Sequence, residues 1–289
     1  MRISSGFLCL SLLLFPALSQ AVTQATVEAV QSPAWLVRDG ARLPLALGAR
    51  LRNGDEVLTG VDSRAYIRLA DSSLIKLGEN ATFTVGGMGQ GEGVFRAALQ
   101  VVEGAFRFTT DIIQRSRIRR DVTVRFATVT AGVRGTDLWG RNFGEREVVV
   151  LIEGQITVTR DGEAPVLMQQ PLTYYEAPRV GDASVHPIPM DLLQAYAAET
   201  ELQPGRGALL PGGRWHLVLA TYDNQDSALL LYDSLRRDGY PVTILPQPHN
   251  GGQIYRVRLS GFASRKEAEA LGARLREVHP GIAPFASTR

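Results

Sequence analysis

Between Gln253 and Leu275 the chain reads QIYRVRLSGFASRKEAEALGARL, a stretch that admits one reading: half-buried strand, turn, amphipathic helix. Tyr255, Val257 and Leu259 alternate with Ile254, Arg256 and Arg258, the period of two by which an extended chain buries one face and wets the other. Gly261 ends that run. Ser264 then precedes Glu267 by three positions, the spacing at which a hydroxyl and a carboxylate satisfy each other's free backbone N–H groups at a helix start. Beyond it Ala268, Leu271, Leu275 and Val278 recur at helical spacing, so the helix has one apolar stripe to lay on a sheet.

The same unit occurs earlier. From Trp215 to Tyr222, residues Trp215, Leu217 and Leu219 alternate with His216, Val218 and Ala220, and a helix follows. Asp226 is its expected cap, Ala228, Leu231, Tyr232 and Leu235 its stripe, and Gly239 followed by Pro241 its end. Short strands at Val242 to Leu245 and Ile282 to Ala286 complete the order βαββαβ, an α+β unit with both helices on one face of the sheet. The other face is left open as a binding surface. His216, Val218, Ile254, Arg256 and Arg258 should project from it, offering aliphatic surface to the C–H faces of a sugar ring, and Arg and His to hydroxyl, amide and carboxylate groups. Nucleic acid fits poorly as partner. The RNA-recognition units that share this element order stack bases on interleaved aromatic residues, and this strand has only Tyr255, on the core side.

The segments RWHLVLATYDNQDSALLLYDSLRRDGYPVTI and YRVRLSGFASRKEAEALGARL resemble a SPOR (sporulation-related repeat) domain, from Arg214 to the C-terminus. That resemblance implies a sheet face that holds peptidoglycan glycan strands stripped of their stem peptides, as accumulate at division septa. Arg256 matches the family's pattern, and Thr221 stands where a small hydroxyl residue is common, which adds it to the expected glycan-binding set of His216, Val218, Ile254, Arg256 and Arg258. Val218 stands where the family often has a polar residue, and Ile254 where it often has an aromatic one.

At the other end, Arg2, the apolar run Phe7 to Phe15 and the small residues Ser19 and Ala21 read as a signal peptide over 1–21, cleaved after Ala21. No segment beyond it approaches the roughly 20 apolar residues of a spanning helix. The single cysteine, Cys9, lies inside that run, so the mature chain is expected to hold itself together by core burial, without disulfides. A formal charge of +2 singles out neither nucleic acid nor anionic membrane as a ligand.

Residues 22–176 are strand after strand. Turn signals at Asp39-Gly40, Asn53-Gly54-Asp55, Thr59-Gly60 and Gly78-Glu79-Asn80 punctuate alternating runs such as Ala65, Ile67 and Leu69, the rhythm of an all-β sandwich, barrel or solenoid. The Gly86 to Gly93 run reads as a mobile loop, and Arg115 to Arg120 as a basic segment. Leu51 to Gly60 (LxxGDxxxTG), Ser63 to Asn80 (SRAYIRLADSSLIKLGEN) and Ala131 to Gly140 (AGVRGTDLWG), in this order, resemble a FecR domain over Gly40 to Val158. The resemblance implies a periplasmic binding or interaction module, with a protein partner or other ligand. Residues 177–213, rich in Pro and Gly, read as a linker with a short helix at Asp191 to Leu202.

Catalytic and metal signatures are weak. Ser73 and Lys76 have the serine-to-lysine spacing of penicillin-interacting enzymes but fall on a strand instead of a helix start. His186, His216, His249 and His279 are scattered without ligand spacing, so neither metal nor cofactor is expected. Asp55, Arg134 and Asp137, next to turn glycines, read as braces between loops. The expectation is a non-enzymatic, periplasmic, peptidoglycan-binding protein. The alternatives are a sensing or signalling protein that uses the SPOR-like unit only as wall anchor, and a glycan hydrolase, for which no positioned carboxylate pair is visible.

Overall fold

The structure is a computed structural model and describes residues 25–91, 93–110 and 119–288. The expected signal peptide, Cys9 and most of the basic segment lie outside the described residues; Arg119 and Arg120 open a strand.

The first unit begins with β1 (Ala25–Gln31), β2 (Ala34–Arg38), β3 (Ala41–Pro44), β4 (Arg50–Leu51), β5 (Glu56–Thr59), β6 (Arg64–Leu69), β7 (Leu74–Leu77) and β8 (Thr82–Gly91). It continues through β9 (Val94–Glu103), β10 (Ala105–Thr109), β11 (Arg119–Phe126), β12 (Val129–Asn142), β13 (Arg146–Arg160), β14 (Val166–Met168), β15 (Thr173–Pro178) and β16 (Ser184–Pro187). These form one 16-stranded sheet whose main path runs β3-β2-β5-β8-β9-β11-β12-β10-β7-β6-β1-β4, with β13 to β16 added beyond β12. Strands β1 and β2 lie near opposite ends of that path yet are joined by Ser32 and Pro33 alone, so the sheet curls around one core. Phe83, Phe106, Phe108 and Phe126 fill it, with Phe106 and Phe126 ring centroids 5.5 Å apart. Alternation writes this: Ala65, Ile67 and Leu69 are buried while Tyr66 and Arg68 face outward.

The motif residues are where the sheet turns and bends. Asp39 and Gly40 take φ of 51° and 77° at the β2–β3 hairpin. Asp55 is almost fully buried and accepts from Arg38 Nε (2.8 Å), Arg38 Nη2 (2.6 Å) and Arg52 N (2.7 Å). Asp137 is braced in the same way by Arg107, at 2.9 and 2.6 Å. Within AGVRGTDLWG, β12 changes partner: Val129 to Val133 pair with β11, and Asp137 to Arg141 with β10. The change is made at Gly135 (φ +66°), against Gly154 (φ +87°) of β13. Of the run Gly86 to Gly93, expected as a mobile loop, Gly86 to Gly91 are instead the end of β8: Gly87 pairs with Ala98 and Gly89 with Arg96. A bulge between Val85 and Gly87 explains Gly86, because a Cβ there would lie 2.9 Å from Ala98 O.

The boundary expected at 176 falls inside β15, and helix α1 (Met190–Ala198) packs on the first unit. There Tyr196 stacks on Trp139 at 4.2 Å and 6°, with Leu193, Ile188, Val148 and Val150 around them.

The C-terminal unit comprises β17 (Trp215–Tyr222), α2 (Gln225–Arg237), β18 (Thr243–His249), β19 (Gly252–Phe262), α3 (Arg265–Val278) and β20 (Phe285–Ser287), in sheet order β18-β19-β17-β20. Leu217, Leu219, Val257 and Leu259 meet Ala228, Leu235, Leu271 and Leu275 in its core, as the stripes require. Val278, counted in the stripe, ends the helix 68% exposed. Asn224 caps α2, not Asp226: its side chain accepts from Ser227 N at 2.8 Å. Ser264 caps α3, accepting from Glu267 N at 3.3 Å. The Glu267 carboxylate does not turn back to complete a capping box; it accepts from Gly205 N (2.6 Å) and Gly207 N (2.8 Å).

That diversion belongs to a seam between the units. Leu209 exchanges hydrogen bonds with Val30 (3.1 and 2.8 Å), Leu210 N donates to Gly261 O (2.8 Å), Trp35 Nε1 to Arg237 O (3.0 Å) and Ala34 N to Gly239 O (3.1 Å). Residues 177–213 are thus held against both units instead of spanning freely between them, their glycines serving turns at Gly205 and Gly207 with φ near +78° and +77°. Glu267→Ala leaves two N–H groups unpaired and is expected to lower stability by about 1–3 kcal/mol, read as a reduced Tm.

Candidate functional site

The two helices cover one face of the C-terminal sheet, and the register fixes what stands on the other. One row runs Thr243, Arg258, Val218, Phe285 across β18, β19, β17 and β20; the next runs Leu245, Arg256, Thr221, and the third Gln247, Ile254. On the other side of the first row lie Ser260, His216 and Ser287. All six expected residues therefore share one face. Strict alternation from Leu217 and Leu219 would have sent Thr221 to the core side. A bulge between Val218 and Ala220 sets Ala220 opposite Val257 and returns Thr221, exposed, to the open face opposite Arg256.

Val218 is on this face yet fully buried, flanked by Arg258 and Phe285. Long side chains on the neighbouring strands spread over a small branched one, so Val218 is the floor of the site and not a contact at its surface. Phe285, 47% exposed, extends that apolar floor to the sheet edge. Leu245 and Phe285 were missed in the sequence; Leu245 was legible, alternating with core residues Val242 and Ile244, whereas Phe285 sits on a strand of three residues with too little pattern to orient it.

No carboxylate occupies any position of these rows. The Nε atoms of Arg256 and Arg258 are buried without a hydrogen-bond partner, and among the described residues neither guanidinium makes an ion pair. Buried polar atoms are ordinarily satisfied, so two such orphans on one face are an exception that sets this pair of arginines apart. His216 Nδ1 lies 2.8 Å from Ser260 Oγ. Burial, helped by the Arg258 charge, holds its imidazole below the ordinary value, leaving a neutral ring at neutral pH. Stability should then fall as pH drops through the ordinary imidazole range, because the unfolded chain takes up a proton that the folded one resists. Tm measured from neutral to mildly acid pH is expected to lose part of this slope in His216→Gln.

A cleft of ≈ 300 Å³ between Ala127, Asn142 and Pro178 is lined by Arg146 and Arg160, which pair with Glu176 (3.2 Å) and Glu163 (2.8 Å), and by Glu147, which accepts from Thr128. Ser73 bonds Asp71 and Lys76 bonds Glu201; Lys76 is on β7 as the sequence implied, while Ser73 lies just before that strand. Among the described residues no group of three His, Cys, Asp or Glu is placed to hold a metal ion, and no helix is long and apolar enough to cross a membrane.

Residues 211–288 match the SPOR domain family and residues 55–157 match the FecR protein family. Comparison with curated proteins returns no match. Two crystal structures of a Parabacteroides distasonis protein, provisionally described as an anti-sigma factor, are 13% and 12% identical. They cover 78% of this chain and 92% and 91% of their own, each with a TM-score of 0.40.

Proposed function

We propose that this chain, a FecR region joined to a SPOR domain, is an exported, non-catalytic protein of the bacterial periplasm that binds peptidoglycan glycan strands on its C-terminal sheet. The observation that carries the reading is the pair Arg256 and Arg258, side by side on a face without carboxylates, with buried and unpartnered Nε atoms. In intact wall the lactyl carboxyl of each muramic acid is tied up in an amide to the stem peptide. Amidase cleavage frees it as a carboxylate, which a guanidinium accepts as a charge-assisted, two-pronged partner. Phe285 and the aliphatic stems of Arg256 and Arg258 give the ring C–H faces an apolar surface above the buried Val218, and Thr221, His216 and Ser260 give its hydroxyl and acetamido groups polar partners.

The test is sedimentation of the full chain with purified sacculi before and after amidase treatment. Stronger binding afterwards supports the reading, together with enrichment of a fluorescent fusion at the septum. Equal binding would keep the wall as ligand and remove the preference for stripped glycan, and no binding to either would overturn the proposal. Release of soluble sugars by the pure protein would replace it with a hydrolase.

A further inference from the structure

On the outer face of the first unit, Tyr66, Lys76, Arg107 and Trp139 form one row across β6, β7, β10 and β12. Residues 199–203, which leave α1 through a turn at Glu199 and Thr200, lie over this row as a strap. Glu201 accepts from Tyr66 Oη (2.8 Å), Lys76 Nζ (2.6 Å) and Arg107 Nη1 (3.2 Å). The strap's main chain is gripped as well: Leu202 N donates to Tyr66 Oη at 2.9 Å and Gln203 N to Gln31 Oε1 at 3.0 Å. Glu199 pairs with Arg141 at 2.9 Å. A carboxylate read by three donors, in a segment whose backbone is read alongside it, is the chemistry of peptide recognition.

The fit is incomplete beneath Glu199. Its Oε2 and the Nε of neighbouring Arg64 are buried without hydrogen-bond partners, as is the Nε1 of Trp139 under Tyr196, and Arg64 is only 4% exposed. A permanent seam satisfies such groups; orphans gathered under one short segment mark a contact that can be exchanged. Burial also lifts the Glu199 carboxyl above its ordinary value, against the pull of Arg141 and Arg64, so this end of the strap is held less firmly than Glu201.

We propose that this cationic row is a recognition site for an acidic segment of a partner protein, with two carboxylates in the Glu-x-Glu spacing, and that residues 199–203 occupy it in cis until such a segment displaces them. A tethered occupant acts at an effective concentration of about millimolar, which masks the site in the resting chain.

The probe is a labelled peptide of residues 196–204, YAAETELQP, followed by fluorescence anisotropy with the full chain. The Glu199→Gln/Glu201→Gln variant, which loosens the cis occupant and leaves the cations in place, is expected to bind it at least about tenfold more tightly than the unaltered chain. Lys76→Gln in that background should remove the gain, as should a peptide with both glutamates replaced by glutamine. Circular dichroism establishes that each variant is folded, and Glu201→Gln alone serves where the double variant is not. Absence of binding to the folded variants, or binding that ignores the carboxylates or Lys76, overturns the proposal and makes the strap a fixed seam.

Discussion

The Arg256→Gln/Arg258→Gln variant is expected to lose binding to amidase-treated sacculi while keeping its fold. Each guanidinium stands to contribute about 1.5–3 kcal/mol through charged hydrogen bonds, so losing both weakens a single glycan contact by roughly 100-fold or more. Glutamine is the informative replacement because it retains much of the arginine stem beside Val218, which is fully buried next to Arg258. Alanine would expose that floor and mix a packing effect into the result. Lysine at both positions keeps the charge and loses the planar fork, and should retain part of the binding. Raising salt should weaken the unaltered protein more than the glutamine variant, since only the former depends on ionic attraction. Co-sedimentation with sacculi reads all three. Unchanged sedimentation of the folded glutamine variant would remove both arginines from the site.

How far the sequence reaches is best judged at particular residues. The faces of β19 follow from strict alternation, and Arg256 and Arg258 stand where it puts them. Thr221 does not follow from alternation, because a bulge is a one-residue insertion that no period can announce; the family resemblance supplied it, and the bulge is its physical reason. Val218 shows a second limit: pattern gives the side a residue points to, while burial depends on what the adjoining strands carry. Glu267 shows a third. Its spacing from Ser264 is that of a capping box, but a carboxylate at the surface of one unit was diverted by Gly205 and Gly207, more than fifty positions earlier in the chain. Local rules could not see the seam for the same reason: residues 177–213, with the composition of a spacer, are tied down by distant partners, Leu209 to Val30 and Gly205 and Gly207 to Glu267. The strap's acidic residues were invisible as a ligand until the row Tyr66, Lys76, Arg107 lay under them.

The glycines of the FecR region make the strongest stability prediction. Gly154 takes φ +87°, and an added Cβ would overlap the Gly135 carbonyl oxygen and lie 3.0 Å from Thr136 Cα, where β12 exchanges β11 for β10. Gly154→Ala therefore meets two separate penalties: about 1–2 kcal/mol for a left-handed backbone with a side chain, and about 1–3 kcal/mol for forcing apart backbone that has no rotamer to yield. Gly144 provides the control. It has φ +84°, almost the same backbone, with nothing within 4 Å of an added Cβ, so Gly144→Ala meets the first penalty alone. The difference between the two variants isolates the close approach of β12 and β13. In a unit of this size each kcal/mol moves Tm by about 2–4 °C, so Gly154→Ala should melt several degrees below Gly144→Ala, measured by circular dichroism in one buffer. Equal shifts would mean that the paired strands relax around the methyl group. The bend in AGVRGTDLWG would then be set by backbone conformation at Gly135 and not by contact with Gly154, and Gly135→Ala would become the more damaging change.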